Sequence, residues 1–348
     1  MRARRPVTLI GALLGAALLV PVPPASAAAP TATAAAPATA AASCGVVFTA
    51  EFAAALAKKY PGRRVTAAVY DTRTRCWYHL HPSLRLTTAS VIKAGVLGAT
   101  LLRAQDRGRG PTAWERARIK PMITYSYNNP SVSDLLGRVG GVAGMHRFDV
   151  RMGATHTTES LAYGATVTTA KDRTLVTRGL LYGGGPLRAA GRAIALDYLS
   201  AVTPTQRWGI TRGVPAGWHV ALKNGFYPMR GNGWRVGSTG FVRRAGTTSG
   251  YVITVLSDRN PSQVAGMSLV ETVALRVAQQ LAGPKAAPRV VSRSVCATAR
   301  SGWSWRTAAT KVHVASSRWA EVRRVSGGNP SPLSGQRVCS PDLGPVPG

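Results

Sequence analysis

Acidic residues are scarce in this chain. Only 13 Asp and Glu stand against 44 Lys and Arg over 348 residues, a net charge of +31. A surface so biased favours anionic partners. Yet the basic residues are scattered, with no run of five or six, so a nucleic-acid-binding arm is not expected. Cysteine is rarer still. Cys44, Cys76, Cys296 and Cys339 show no Cys-x-x-Cys spacing, so neither a metal site nor a cofactor is expected. No apolar run after residue 20 is long enough to span a membrane. No serine sits in Gly-x-Ser-x-Gly, which weighs against a Ser-His-Asp reading of the 6 histidines.

What is present at the N-terminus is "MRARRPVTLIGALLGAALLVPVPPASA", a basic start, an apolar stretch and Ala-Ser-Ala. Residues 1–27 therefore read as a secretory signal peptide. Residues 28–43, rich in Ala, Pro and Thr, cannot bury a core and read as a linker. Losing Arg2, Arg4 and Arg5 with the signal leaves a charge of +28. The expected product is an exported monomer, in an oxidising compartment where an even cysteine count suggests two disulfides. Three pairings are possible; Cys44 with Cys76 and Cys296 with Cys339 keep each bridge inside one folded unit.

The main domain is expected over 44–283. "FTAEFAAALAKKYPG" has helical spacing, and "RRVTAAVYDTRTRCWYHLHP" reads as two strands about a turn at 71–75. "TAWERARIKPMITYSYNNPSVSDLLGRVGG" reads as helix, loop, helix, closed by Gly140-Gly141. Helical pattern returns from Thr168 to Leu199, broken by the glycines at 183–185. "GWHVALKNGFYP", "WRVGSTGFVRR" and "SGYVITVLSD" predict three strands, and "SQVAGMSLVETVALRVAQQLAG" a closing helix. That order implies an α+β domain, a five-stranded antiparallel sheet flanked by helices, with a helical middle part.

Within this frame "TTASVIKAGVLGATLL" puts Lys93 in an apolar helix one turn after Ser90. A lysine there is costly without a partner or a task. Desolvation lowers its pKa until it can take a proton from a hydroxyl three residues away on the same face. The simpler reading is a helix capped by Thr87, Thr88 or Ser90, with a lysine reaching solvent. Two further stretches favour the catalytic reading: "YSYNN", with Ser126 and Asn128, and "LKNG", with Lys223, Asn224 and Gly225. Ser-x-x-Lys, Ser-x-Asn and Lys-x-Gly in this order resemble the class A β-lactamase-like serine hydrolases and the related DD-peptidases.

The resemblance covers roughly residues 44–283 and implies roles. Ser90 would be the nucleophile, Lys93 its base, and Ser126 the relay of a proton to the departing nitrogen. Asn128 would hold Lys93 and the substrate amide; Lys223 would attract a substrate carboxylate, helped by the Asn224 amide beside Gly225. The N–H groups of Ser90 and Phe226 would form the oxyanion hole. Three departures stand out. Tyr127 replaces the usual Asp, Asn224 replaces Thr or Ser, and the loop that should carry a deacylating Glu is the short "GATHTTESLAYGATV". Its only acid, Glu159, is expected to be a solvated loop residue, so an acyl-enzyme would form but hydrolyse slowly.

After a linker at 284–294, residues 295–342 resemble a degenerate LysM module, a glycan-binding unit. End strands would be bridged by Cys296 and Cys339, with short helices before Val314 and around Trp319. The expected function is a secreted hydrolase acting on a β-lactam or a peptidoglycan-derived amide. The rival is a catalytically weak wall-binding protein on the same fold.

Overall fold

The computed structural model describes residues 44–283 and four later strands at 294–298, 311–314, 318–321 and 337–341. Helix α1 (Ala50–Lys59) starts at Thr49, whose side chain accepts from the Phe52 N–H. Strand β1 (Arg64–Asp71) is buried along nearly its whole length, so both its faces are covered, and β2 (Trp77–Leu80) pairs with it antiparallel. The Cys44–Cys76 disulfide ties the segment before α1 to the start of β2. Next come the three-residue strand β3 (Arg85–Thr87) and the central helix α2 (Ile92–Asp106). Twelve of the 15 residues of α2 are buried, which is why it reads as apolar on every side.

Helices α3 (Ala113–Thr124), α4 (Ser131–Val139) and α5 (Gly141–Arg151) surround α2. Gly140 closes the second of the two expected helices, and a further helix, α5, absent from the sequence expectation, starts directly after it. Gly140, at φ +96°, ends α4 and opens α5 in one residue, so the chain bends and continues as helix. Strand β4 (Val167–Thr169) pairs with β3 and leads into α6 (Ala170–Leu181) and α7 (Ala189–Ser200). Strands β5 (Trp218–Pro228), β6 (Trp234–Arg244) and β7 (Gly250–Asn260) then form the rest of the sheet, and α8 (Gln263–Leu281) follows.

The sheet order is β2-β1-β7-β6-β5, antiparallel throughout, with β5 on the edge. Val236 of β6 lies against Gly266 of α8, while Thr239 bonds Thr177 of α6. Those two positions have opposite parity, so α8 and α6 cover opposite faces. No helix among the described residues is long and apolar enough to cross a membrane.

In the tail, β8 (Ser294–Thr298) pairs with β11 (Arg337–Pro341), placing Cys296 opposite Cys339. Between them β9 (Lys311–Val314) pairs with β10 (Arg318–Glu321), so Val314 and Trp319 lie on strands where helices were expected, while residues 299–310 lie outside the described residues. "KVHV" alternates with the period of a strand, and its β-branched residues suit one. The signal segment, the first linker and residues 284–293 of the second lie outside the described residues, while Ser294 already belongs to β8.

Candidate active site

The backbone at Ser90 is irregular where it matters. Ser90 sits in a single 3-10 turn, Ala89–Val91, that feeds into α2, and Ala89 before it is held at φ +45°. None of the three expected polar caps operates: α2 begins at Val91 with no side-chain cap. The Val91 and Ile92 N–H groups donate back to Thr88 O and Ala89 O instead, and the helix end leaves a partial positive charge beside the Ser90 hydroxyl. The second left-handed residue at the site is Ser126 itself, at φ +62°. Such conformations cost on the order of 1–3 kcal/mol each and persist where the surroundings enforce them.

The three motifs converge. Lys93 is fully buried and its Nζ donates to Ser126 O at 2.6 Å, Asn128 Oδ1 at 2.7 Å and Ser126 Oγ at 3.3 Å. Lys223, equally buried on β5, donates to the same Ser126 Oγ at 2.9 Å and to Asn224 O at 2.8 Å. Two amines thus face one hydroxyl, and neither makes an ion pair with a carboxylate among the described residues. Burial holds Lys93 well below the usual lysine range, with the neighbouring Lys223 adding to the effect. Burial alone brings Lys223 down to about 7. A neutral Lys93 has two N–H groups, enough for Ser126 O and Asn128 Oδ1, and carries the lone pair a serine nucleophile needs.

Gly225 shows how closely the edge strand meets the nucleophile. A Cβ at this position would lie 2.6 Å from Ser90 N and 2.5 Å from Val91 N. The Val91 N–H donates to Thr88 O at 3.1 Å, so the space that a missing side chain keeps clear is the one in front of the Ser90 N–H. Phe226 follows on the same edge strand, half-buried against Trp234, with ring centroids 6.4 Å apart. Gly225→Ala is expected to close this space and to lower the acylation rate by roughly 10²–10³-fold, the range for losing an oxyanion donor. Burst kinetics with a chromogenic β-lactam would check it, alongside a melting curve to separate rate from stability.

Two expectations change. Asn224 was expected to donate to a substrate carboxylate, but its Nδ2 already donates to Gln206 O at 2.6 Å and Trp208 O at 3.2 Å. It fastens the 204–208 segment to β5, and its Oδ1 is buried without a hydrogen-bond partner. Glu159 was expected to be solvated, but its side chain is 7% exposed. Its Oε2 lies 3.2 Å from His146 Nδ1, and it lines a cavity of about 210 Å³ with Ile92, Met145 and Tyr163. Burial follows from the short loop lying flat: Gly164 packs on Ala89, and Thr166 O accepts from the Thr88 N–H at 2.9 Å. The carboxylate is turned to His146, while the Lys93 amine is held by Ser126 and Asn128. Neither the Gln206 and Trp208 carbonyls nor the Gly164 contact has a side-chain signature, so nothing in the motifs announces them.

Tyr127, in place of the usual Asp, packs near Tyr125, with ring centroids 5.4 Å apart, and its N–H donates to Pro121 O at 3.1 Å. The loop is thus pinned by backbone and aromatic contact, and Ser126 and Asn128 still reach Lys93.

No protein-family model and no curated protein matches the chain. Solved structures do. A β-lactamase from Streptosporangium roseum is 19% identical with a TM-score of 0.57, covering 67% of this chain and 97% of its own. The putative class A β-lactamase PenP from Rhodopseudomonas palustris is 22% identical, TM-score 0.56, over 66% and 98%. An ancestral class A β-lactamase is 24% identical, TM-score 0.56, over 66% and 98%. The fold is that of the class A β-lactamases and β-lactamase-like serine hydrolases.

Proposed function

We propose that this protein is an exported serine hydrolase that opens an amide, in a β-lactam or a cell-wall peptide, through an acyl-enzyme on Ser90. The observation that carries the reading is the shared hydroxyl: Ser126 Oγ lies within hydrogen-bonding distance of both Lys93 Nζ and Lys223 Nζ. That arrangement forms a proton path. Lys93 takes the Ser90 proton, the tetrahedral oxyanion meets the N–H groups of Ser90 and Phe226, and Ser126 returns a proton to the departing nitrogen. Lys223 keeps the path electropositive. Asn224 acts by holding β5 in place, which leaves Lys223 as the anchor for a substrate carboxylate.

A second reading is a wall-binding protein with little turnover. It is favoured by the commitment of both Asn224 amide hydrogens and by a Glu159 directed at His146. In either reading residues 295–342 are proposed as a separate glycan-binding module closed by Cys296 and Cys339, whose strands lie in register.

One experiment separates the two readings. Incubation with a fluorescent penicillin, followed by mass spectrometry of the peptide spanning 86–103, should place the adduct on Ser90 and lose it in Ser90→Ala. Labelling that survives in Ser90→Ala would remove the nucleophile assignment. No labelling of the wild type by penicillins or fluorophosphonates would leave the wall-binding reading.

A further inference from the structure

Carboxylates are few in this chain, yet three gather under the short loop that carries Glu159. Asp149 on α5, one turn after His146, and Asp172 on α6 are fully buried, and the Glu159 side chain nearly so. Arg173 lies 2.9 Å from Asp149 and donates to the Thr157 hydroxyl, which in turn donates to Asp172. Burial pushes the Asp149 carboxyl up to about 6, against the pull of Arg173, with Glu159 and Asp172 adding to the rise. Glu159 is served less well: among the described residues no lysine or arginine pairs with it. Its Oε2 meets His146 Nδ1 at 3.2 Å, on a side chain 61% exposed, and its Oε1 is buried with no hydrogen-bond partner. A carboxylate oxygen left so is unfavourable for the protein alone and favourable beside a cation.

Glu159 is also the one charged residue among those that line the cavity of about 210 Å³. The walls are largely apolar, with Ile92 of α2, Leu136 of α4, Val142 and Met145 of α5, and Tyr163 of the loop. Ser90, Lys93, Ser126, Asn128 and Lys223 do not line it, so it is separate from the acylation site. An apolar cavity of about 150 Å³ holds benzene, so this one has room for a chain of about six heavy atoms. The last torsion of a glutamate is soft, and the carboxylate can turn either oxygen to such a ligand.

Those walls select the occupant. A neutral alkyl group would leave Glu159 unpaired, and an anion would be repelled by it. An alkyl stem ending in an ammonium suits both the apolar wall and the carboxylate. The rim says what the stem hangs from. Leu161 lines the cavity while 90% exposed, so a free amine inside would leave it bare, and a longer chain lying across the mouth would cover it. We infer that this cavity binds the aminoalkyl side chain of a peptide, with the ammonium on Glu159 and the peptide backbone across Leu161.

The test is fluorescence anisotropy with full-length protein and a labelled Ala-Lys-Ala amide, beside its norleucine counterpart, which keeps the stem and lacks the ammonium. The wild type should bind the lysine peptide at least tenfold more tightly, and Glu159→Gln should remove that preference. Leu161→Ala, at an exposed position, should weaken the lysine peptide about threefold and leave competition by n-butylamine unchanged. No β-lactam is present, so the outcome stands apart from any result at Ser90. Equal binding of the two peptides would overturn the site. So would a lysine preference that survives in Glu159→Gln while its melting curve matches the wild type. Competition by n-butylamine as tight as the peptide itself would overturn the peptide as the source of the amine.

Discussion

Replacing Lys93 with alanine should slow acylation of Ser90 by roughly 10²–10⁴-fold, the contribution of a positioned general base. The expectation rests on a buried amine whose proton is disfavoured by its surroundings and which reaches the site through Ser126 and Asn128. The direction with pH follows. A base works unprotonated, so the wild-type acylation rate should fall as acid protonates Lys93, and the variant should lack that limb. Lys223, brought down to about 7, has the opposite consequence, since the positive charge it loses as pH rises through that value favours an anionic substrate. The wild-type profile should therefore be a bell. Stopped-flow labelling from pH 5 to pH 9 measures both limbs. A Lys93→Ala protein labelled at the wild-type rate would show that another group removes the serine proton.

The second large effect lies in the other half of the cycle. Water must attack the acyl-enzyme, and Glu159, the only acid in the short loop, is hydrogen-bonded to His146. Losing one positioned base raises a barrier by roughly 3–5 kcal/mol. Labelling by β-lactams should accordingly be fast and release slow, with an acyl-enzyme lifetime of minutes or longer. Glu159→Gln should leave that lifetime unchanged. Intact mass followed over time after a single addition of penicillin reads it directly. Fast nitrocefin turnover that collapses in Glu159→Gln would make Glu159 the missing base and overturn the slow-release expectation.

Much of the fold was legible because its signals are local. The turn between β1 and β2, the three long strands and α8 follow from period and punctuation alone. The meeting of Lys93, Ser126, Asn128 and Lys223 was legible through motif order, since a lysine inside an apolar helix needs a partner or a task. What could not be read depends on distant packing. Strands β3 and β4 have three residues each, too few to show a period. The orientation of Asn224 depends on where the 204–208 segment happens to pass. The burial of Glu159 depends on the short loop settling onto Ala89 and toward α5. The Gly140-Gly141 pair marked the end of α4, but nothing in it announced that α5 starts in the next residue, because a left-handed glycine can join two helices as readily as end one.

That short loop raises a mechanical question of its own. If it supplies no base, its contacts still fall on the residue just before the nucleophile: Gly164 against Ala89, and Thr166 O on the Thr88 N–H. Ala89 is the residue held at φ +45°, a posture an alanine would leave if nothing pressed on it. The loop is then a buttress. It keeps a bent spring loaded beneath Ser90, and shortening it further would relax the spring and let the hydroxyl drift, with every catalytic side chain still in the sequence.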